Sequence, residues 1–183
     1  MKNTFIISSA LILVALAACR EQSAQKHTDS PFKPDASIQE IMQSVIDPNI
    51  DPIWDSVQTV STAAGVEERH PKTDEDWQRL KKHAIVVREA TNLILMEGRK
   101  VASSNTSTVA AELGPEAIEQ AIAANRPAFI KNAHELHAAV TKAITAIDAK
   151  NVAGLGEAGE GIDQACEKCH LQFWYPGEKL PPP

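Results

Sequence analysis

Two cysteines and a histidine near the end of the sequence have the spacing of a cofactor attachment site. Cys166 and Cys169 are separated by two residues, and His170 follows the second cysteine directly. On a helix this spacing places both thiols on one side of a turn, next to the imidazole. Thiols so placed can bond to the two vinyl groups on one edge of a haem, while the imidazole ligates the iron. The sequence therefore predicts one covalent haem c, with His170 as the proximal iron ligand.

Zinc knuckles and redox-active dithiols also use two cysteines separated by two residues. A zinc site would need a second pair of ligands, and the sequence has only three cysteines in all. The third, Cys19, lies far away near the N-terminus. The histidine directly after Cys169 favours haem over these two alternatives.

The N-terminal residues have the layout of a secretory signal peptide. Lys2 supplies a positive start, and residues 5–18 are almost wholly apolar but too few to span a bilayer as a stable helix. We therefore assign residues 1–18 to a signal peptide. Export agrees with the predicted cofactor, because c-type haem is attached outside the cytoplasm.

Residues 16–19, Leu-Ala-Ala-Cys, resemble the lipobox of bacterial lipoproteins. The resemblance implies that Cys19 becomes the mature N-terminus and carries a lipid anchor. An ordinary signal peptide with a cysteine near its cleavage site is the alternative. Residue 20 is Arg rather than Asp, and by the same resemblance this favours the outer membrane. The expected location is the periplasmic side of a bacterial membrane.

The charge balance narrows the range of partners. Only one charged residue, Lys2, lies in residues 1–18, so the 165-residue mature chain has 17 basic and 24 acidic residues and a net charge of −7. This balance argues against nucleic acid and against direct binding to anionic lipid. It is compatible with a basic redox partner protein, although acidic solubility is the commoner reason for such a charge.

Composition divides the mature chain into three parts. Residues 19–35 are polar without apolar periodicity and predict a flexible tether. Residues 36–177 are rich in Ala, Leu, Glu and Lys, which predicts a helical domain. Residues 178–183 form a Pro-rich tail.

Apolar periodicity predicts four long helices in the domain. The first begins after Ser37, the second after Thr73, the third at residues 125–127 and the fourth at Val152, with a short helix at Pro115 before the third. The predicted buried stripes are Trp77, Leu80, Ala84, Val87, Thr91 and Leu95 in the second helix, Phe129, Ala133, His137, Val140, Ile144 and Ile147 in the third, and Leu155, Gly159 and Ile162 in the fourth. This all-α pattern favours an antiparallel four-helix bundle, a common scaffold for a cofactor held among helices.

Two Asp-Pro pairs interrupt the first helix, at residues 47–48 and 51–52. Proline lacks an N–H and crowds the carbonyl four residues back, whereas aspartate is a good N-cap. We therefore expect a kink or short break at these pairs, and then a second helical piece that continues to about Ala63.

A haem motif in the last helix, close to the C-terminus, resembles the class II cytochromes c, which include cytochrome c prime and its low-spin relatives. The similarity is clearest from Ala149 to Phe173, where residues 148–151 match the turn before the last helix and Phe173 matches an aromatic after the motif. Phe129 matches an aromatic on the third helix. The resemblance implies an antiparallel four-helix bundle with the haem bound at its C-terminal helix.

By the same resemblance, Met42 falls on the first helix where low-spin members place their sixth iron ligand. A thioether favours Fe(II), raises the potential and closes the iron to other ligands. Met42 can also be an ordinary core residue beneath an open iron, as in the high-spin members that bind NO or CO. A histidine could take its place instead, the candidates being His83, His134 and His137. Trp174 stands where the family has a basic residue, which weakens the comparison with the gas-binding members.

These features together predict a lipid-anchored, periplasmic one-electron carrier rather than an enzyme. The alternative is a high-spin haem module that binds NO or CO like cytochrome c prime. A peroxidase would need a distal acid–base residue above an open iron, and only the uncommitted histidines offer one. The expected partners are periplasmic redox proteins and the membrane through the lipid. Class II cytochromes c are often dimeric, so a homodimer is an alternative to a monomer.

Overall fold

Helices dominate the part of the chain that the computed structural model describes, residues 31–104 and 111–178. The elements in chain order are α1 (Ile38–Ile41), a π-helical turn (Met42–Ile46), α2 (Asp47–Trp54), β1 (Gln58–Thr62), β2 (Gly65–Arg69), α3 (Asp74–Ile94), α4 (Pro115–Ala124), α5 (Arg126–Asp148) and α6 (Val152–Phe173). By its internal contacts the chain divides into residues 1–33 and 34–183, and the second unit contains all these elements. The mostly helical fold is thus confirmed.

The predicted signal peptide, Cys19 and most of the tether lie outside the described residues, as does the tail after residue 178. Within the described ranges, no helix combines the length and the apolar character needed to cross a membrane.

Side-chain caps begin three of the helices where the sequence places them. Ser37 accepts from the backbone N–H of Glu40, whose carboxylate accepts in turn from the N–H of Ser37. Thr73 forms the same reciprocal capping box with Asp76. Asn151 accepts from the N–H of Gly154 at the start of α6. Each cap satisfies backbone donors that the first helical turn leaves unpaired.

Of the kink or short break predicted at the Asp-Pro pairs, the break is wrong. The chain instead stays helical from α1 through the π turn and α2, and no side-chain cap is present at the start of α2. The backbone N–H of Asp47 donates to the carbonyl of Met42, five residues back, which is the π-helical pattern. Pro48 lies in the first turn of α2, where a proline is tolerated, and Pro52 lies only two residues before the helix ends at Trp54.

The predicted helical piece up to Ala63 is also wrong, because β1 and β2 form a two-stranded antiparallel hairpin there. Thr59, Val60 and Thr62 are β-branched, and such residues lose less side-chain freedom in a strand than in a helix. Gly65 follows the turn with φ of 130°, a conformation that other residues rarely adopt. The all-α prediction therefore holds for the core but not for this largely exposed hairpin.

The core forms where α5 packs between α3 and α6, with α2 against α3. Most of the predicted stripe residues of α3, α5 and α6 are buried, whereas Leu95 follows the end of α3 and is only partly covered. Phe129 of α5 and Phe173 of α6 are almost fully buried and meet edge to face, with ring centroids 5.5 Å apart. This aromatic pair joins the last two long helices next to the Cys-x-x-Cys-His motif.

Replacing Phe129 by alanine is expected to lower the free energy of unfolding by about 3–5 kcal/mol, because a large buried ring leaves a cavity and loses its aromatic partner. Chemical denaturation measures the loss. Val66→Ala in the exposed hairpin is the control and should change stability by less than about 0.5 kcal/mol. A change at Phe129 as small as the control's would show that the pair does not stabilise the core.

Candidate functional site

The Cys-x-x-Cys-His motif lies in the last two turns of α6. Cys166, Cys169 and His170 are all partly buried, and both thiols are free. The helix ends at Phe173, three residues after the motif, and the backbone N–H groups of Trp174 and Tyr175 both donate to the carbonyl of His170, at 2.7 and 2.9 Å. These two hydrogen bonds to one carbonyl fold the following residues back onto the histidine.

Aromatic rings surround His170 on the side where the chain turns back. The Trp174 and Tyr175 rings approach the imidazole edge to face, with centroids 5.7 and 6.1 Å away. The backbone carbonyl of Trp174 accepts from Leu113, which holds the segment before α4 against the same site. The position where the class II family has a basic residue is therefore an aromatic wall.

A largely apolar cavity opens beside the motif, between the first helical segments, α5 and α6. Both cysteines and His170 line one side of it. Other parts of its wall come from Ile46 and Ile50, and from Phe129 and Leu136 of α5. Sites for organic cofactors are mostly apolar with a few polar groups, and this cavity has that character.

Met42 lines the same cavity as His170, although the two residues are far apart in sequence. A second, more open cavity borders the first, and Met42, Asp47, His170 and Trp174 line both. The structure therefore brings the candidate sixth ligand to the site that contains the proposed proximal ligand and both thiols.

The electrostatic environment suits a ligand histidine and does not suit a redox dithiol. Burial raises the pKa of Cys166 to about 12 and that of Cys169 to about 11, and Asp163 adds to the effect at Cys166. Redox-active cysteines have a lowered pKa, because the thiolate is the nucleophile. Burial lowers the pKa of His170 below its usual value, which favours the neutral imidazole that can ligate iron.

Two polar residues of the cavity wall were not predicted from the sequence as site residues. Asp47 lines both cavities. Its pKa is raised mainly by burial and to a smaller extent by repulsion from Asp51. Asn132 is buried and donates to the side chain of Gln172 at 2.9 Å, and it offsets part of the rise in the Cys169 pKa that burial causes. The sequence signal for Asn132 is its position: it is a polar residue directly before Ala133, which lies on the apolar stripe of α5.

The alternative histidine ligands lie elsewhere. His83 bonds the side chain of Asn49 at 2.8 Å, and His137 bonds the hydroxyl of Thr91 at 3.0 Å. His134 is exposed on α5. Among the described residues that line the two cavities, His170 is the histidine present and Met42 the methionine.

The donor set fits a haem better than a bare metal ion. Within residues 31–104 and 111–178, no three His, Cys, Asp or Glu side chains converge as metal ligands. A haem iron needs no such group, because the porphyrin supplies four ligands and the protein only the axial ones. Two thiols, a histidine and a thioether that line one apolar space match that requirement.

Two of the residues that resemble class II cytochromes c lie close to this site, because Phe129 lines the cavity and Phe173 contacts it. The matching residues 148–151 form the tight turn between α5 and α6, at the opposite end of α6 from the motif. In that turn Lys150 adopts a left-handed conformation with φ of 51°. In comparisons with protein-family models, curated proteins and solved structures, the chain matches none.

Proposed function

We propose that this chain is a c-type cytochrome that carries one electron at a time through a single haem c. The observation that supports it most is the shared cavity: the thiols of Cys166 and Cys169, the His170 imidazole and the Met42 side chain all line one apolar space. Haem bound there would supply the Fe(III)/Fe(II) couple.

The chain's own residues have separate roles in this proposal. Cys166 and Cys169 anchor the haem edge to α6, so the cofactor cannot dissociate. His170 would ligate the iron, and the Trp174 and Tyr175 rings restrict the rotation of its imidazole. The Met42 thioether would ligate the iron as well and so keep water and gases from binding. The apolar wall excludes water and so favours the less charged, reduced state.

The finer fold that we propose is an antiparallel four-helix bundle. Its first helix is the continuous segment from α1 through α2, and the others are α3, α5 and α6. The turn of three residues between α5 and α6, and the packing of α5 on both α3 and α6, support this arrangement. The haem would then lie at the end of the bundle where α6 finishes.

The wild-type protein, produced in a host that attaches c-type haem, tests the proposal. Acid–acetone extraction should leave the haem colour with the protein, because thioether bonds survive the solvent. A pyridine haemochrome assay should give one haem per chain. Free haem in the acetone phase, or a colourless protein, would exclude a c-type cytochrome.

We further propose that Cys19 anchors the protein to the periplasmic face of the outer membrane, where it exchanges electrons with redox proteins. Labelled palmitate should be incorporated into the wild type and not into Cys19→Ser, which should lose membrane association or keep its signal peptide. Cys166→Ser leaves Cys19 in place and serves as the control, with unchanged labelling. Equal labelling of wild type and Cys19→Ser would contradict the lipid anchor.

A further inference from the structure

The buried isoleucines of the first helix do not keep an α-helical spacing. Ile38, Ile41, Ile46, Ile50 and Ile53 are all almost fully buried. The step from Ile41 to Ile46 is five residues, whereas the apolar face of an α-helix repeats every three or four. The π turn Met42–Ile46 coincides with this long step and takes up the extra residue.

The extra residue decides which way Met42 faces. In a regular α-helix, one extra residue rotates all that precedes it by about 100° relative to all that follows. With Ile46, Ile50 and Ile53 in the core, a regular α-helix would turn Ile38 and Ile41 away from it and would place Met42 on the other side of Ile46. With the π turn, Met42 and Ile46 line the same cavity as His170.

The two ends of this helical segment are fixed, so the extra residue cannot be shifted out of it. At the start, the backbone N–H groups of Ile38 and Gln39 donate to the carbonyls of residues 100 and 101, at 2.8 and 2.9 Å. At the end, the Trp54 indole N–H donates to the carbonyl of Gly159 on α6, at 3.1 Å.

A side-chain pair stabilises the π turn from outside. The Asn49 side-chain amide donates to the backbone carbonyl of Val45, inside the turn, at 2.8 Å. Because that carbonyl can only accept, the Asn49 side-chain oxygen faces the other way and accepts from Nδ1–H of His83 on α3, at 2.8 Å. Asn49 thus connects a carbonyl of the turn to a neighbouring helix.

We infer that the π turn and the Asn49–His83 pair together aim the Met42 thioether at the iron site, which makes Asn49 and His83 positioning residues for the sixth ligand. This inference rests on the proposed function, in which Met42 closes the iron. Neither residue lines the cavity or touches the haem site. They act through the backbone of the turn that carries Met42.

The test uses the full-length holoprotein with His83→Ala, Asn49→Ala and Asn49→Asp. The last variant keeps the acceptor for His83 but replaces the donor to Val45. The ferric near-infrared charge-transfer band of a thioether–iron bond reports ligation by Met42, and CO binding to the ferrous protein reports its loss. Hydrogen exchange of residues 42–50, measured by mass spectrometry, reports the turn itself without reference to the iron.

His137→Ala is the matched control, because it removes a histidine hydrogen bond of the same kind, from α5 to Thr91 on α3, away from the first helix. We expect each variant at Asn49 or His83 to lose more than half of the thioether band, to bind CO more readily and to exchange residues 42–50 faster. His137→Ala should leave all three unchanged. Covalent haem content should be the same throughout.

A full thioether band in both His83→Ala and Asn49→Ala would overturn this inference but would leave the proposed function as an electron carrier unaffected. A wild-type protein with covalent haem but no thioether band would overturn both the inference and the assignment of Met42.

Discussion

Replacing Met42 by alanine is expected to convert the ferric protein from low-spin to high-spin and to open the ferrous iron to CO. The methyl group of alanine cannot ligate, so the sixth position is left to water or a gas. The reduction potential should fall by on the order of 0.1 V, well within the span of about 0.8 V over which axial ligands set haem potentials. Optical spectra, CO titration and potentiometry measure these changes.

Met96→Ala is the matched control for Met42→Ala. Met96 follows α3 and lines neither of the two cavities at His170, and its sulfur accepts from the Arg99 guanidinium. Its replacement should leave spin state, potential and CO binding unchanged. A wild-type protein that is already high-spin and binds CO readily would contradict the Met42 assignment and favour a module that binds NO or CO.

The double substitution Cys166→Ser, Cys169→Ser should abolish covalent haem and strongly destabilise the fold. The cavity wall is mostly apolar, so without the cofactor it is either empty or wet. An empty apolar cavity costs about 24 cal/mol for each Å³, so the roughly 100 Å³ of this cavity, left unfilled, cost about 2.4 kcal/mol. For a chain of this length, that loss lowers Tm by roughly 5–10 °C. Acid–acetone extraction and thermal unfolding by circular dichroism measure both effects.

The single variants Cys166→Ser and Cys169→Ser serve as controls, because each keeps one thiol that can bond to a vinyl group. Each should retain covalent haem at reduced yield and unfold between the wild type and the double variant. Haem that stays with the double variant after acid–acetone extraction would show that the two cysteines are not the attachment points. An unchanged Tm would show that the cavity is not filled by a cofactor in the wild type.

Local sequence determined the features that depend on neighbouring residues. The caps at Ser37, Thr73 and Asn151 need only a side-chain oxygen and a backbone donor two or three residues later, and all three are found where the sequence indicates. The starts of α4 and α5 follow from another local rule, because a proline in the first two positions of a helix lacks only an N–H that would be unpaired there. The spacing of Cys166, Cys169 and His170 is likewise a property of one helical turn.

Competition between local preferences misled the interpretation of residues 47–63. The Asp-Pro pairs predict a break, but burial of Ile46, Ile50 and Ile53 outweighs that preference and keeps α2 helical. The hairpin after Trp54 was missed because its β-branched residues are few and its strands cover no part of the core. The five-residue step from Ile41 to Ile46 was the available signal for the π turn.

Tertiary structure alone decided which distant residues meet at the site. Met42 could be placed on the first helix from the sequence, but only helix packing puts it in one cavity with His170. Asp47, Asn132 and the Asn49–His83 pair became visible for the same reason, because each depends on contacts between helices far apart in the chain. The sequence by itself determined the chemistry that α6 can perform. The packing of the first helix against α3 and α6 decided which of its side chains lies beside the motif on α6. The reason is that the direction of a helical side chain depends on how the whole helix is rotated.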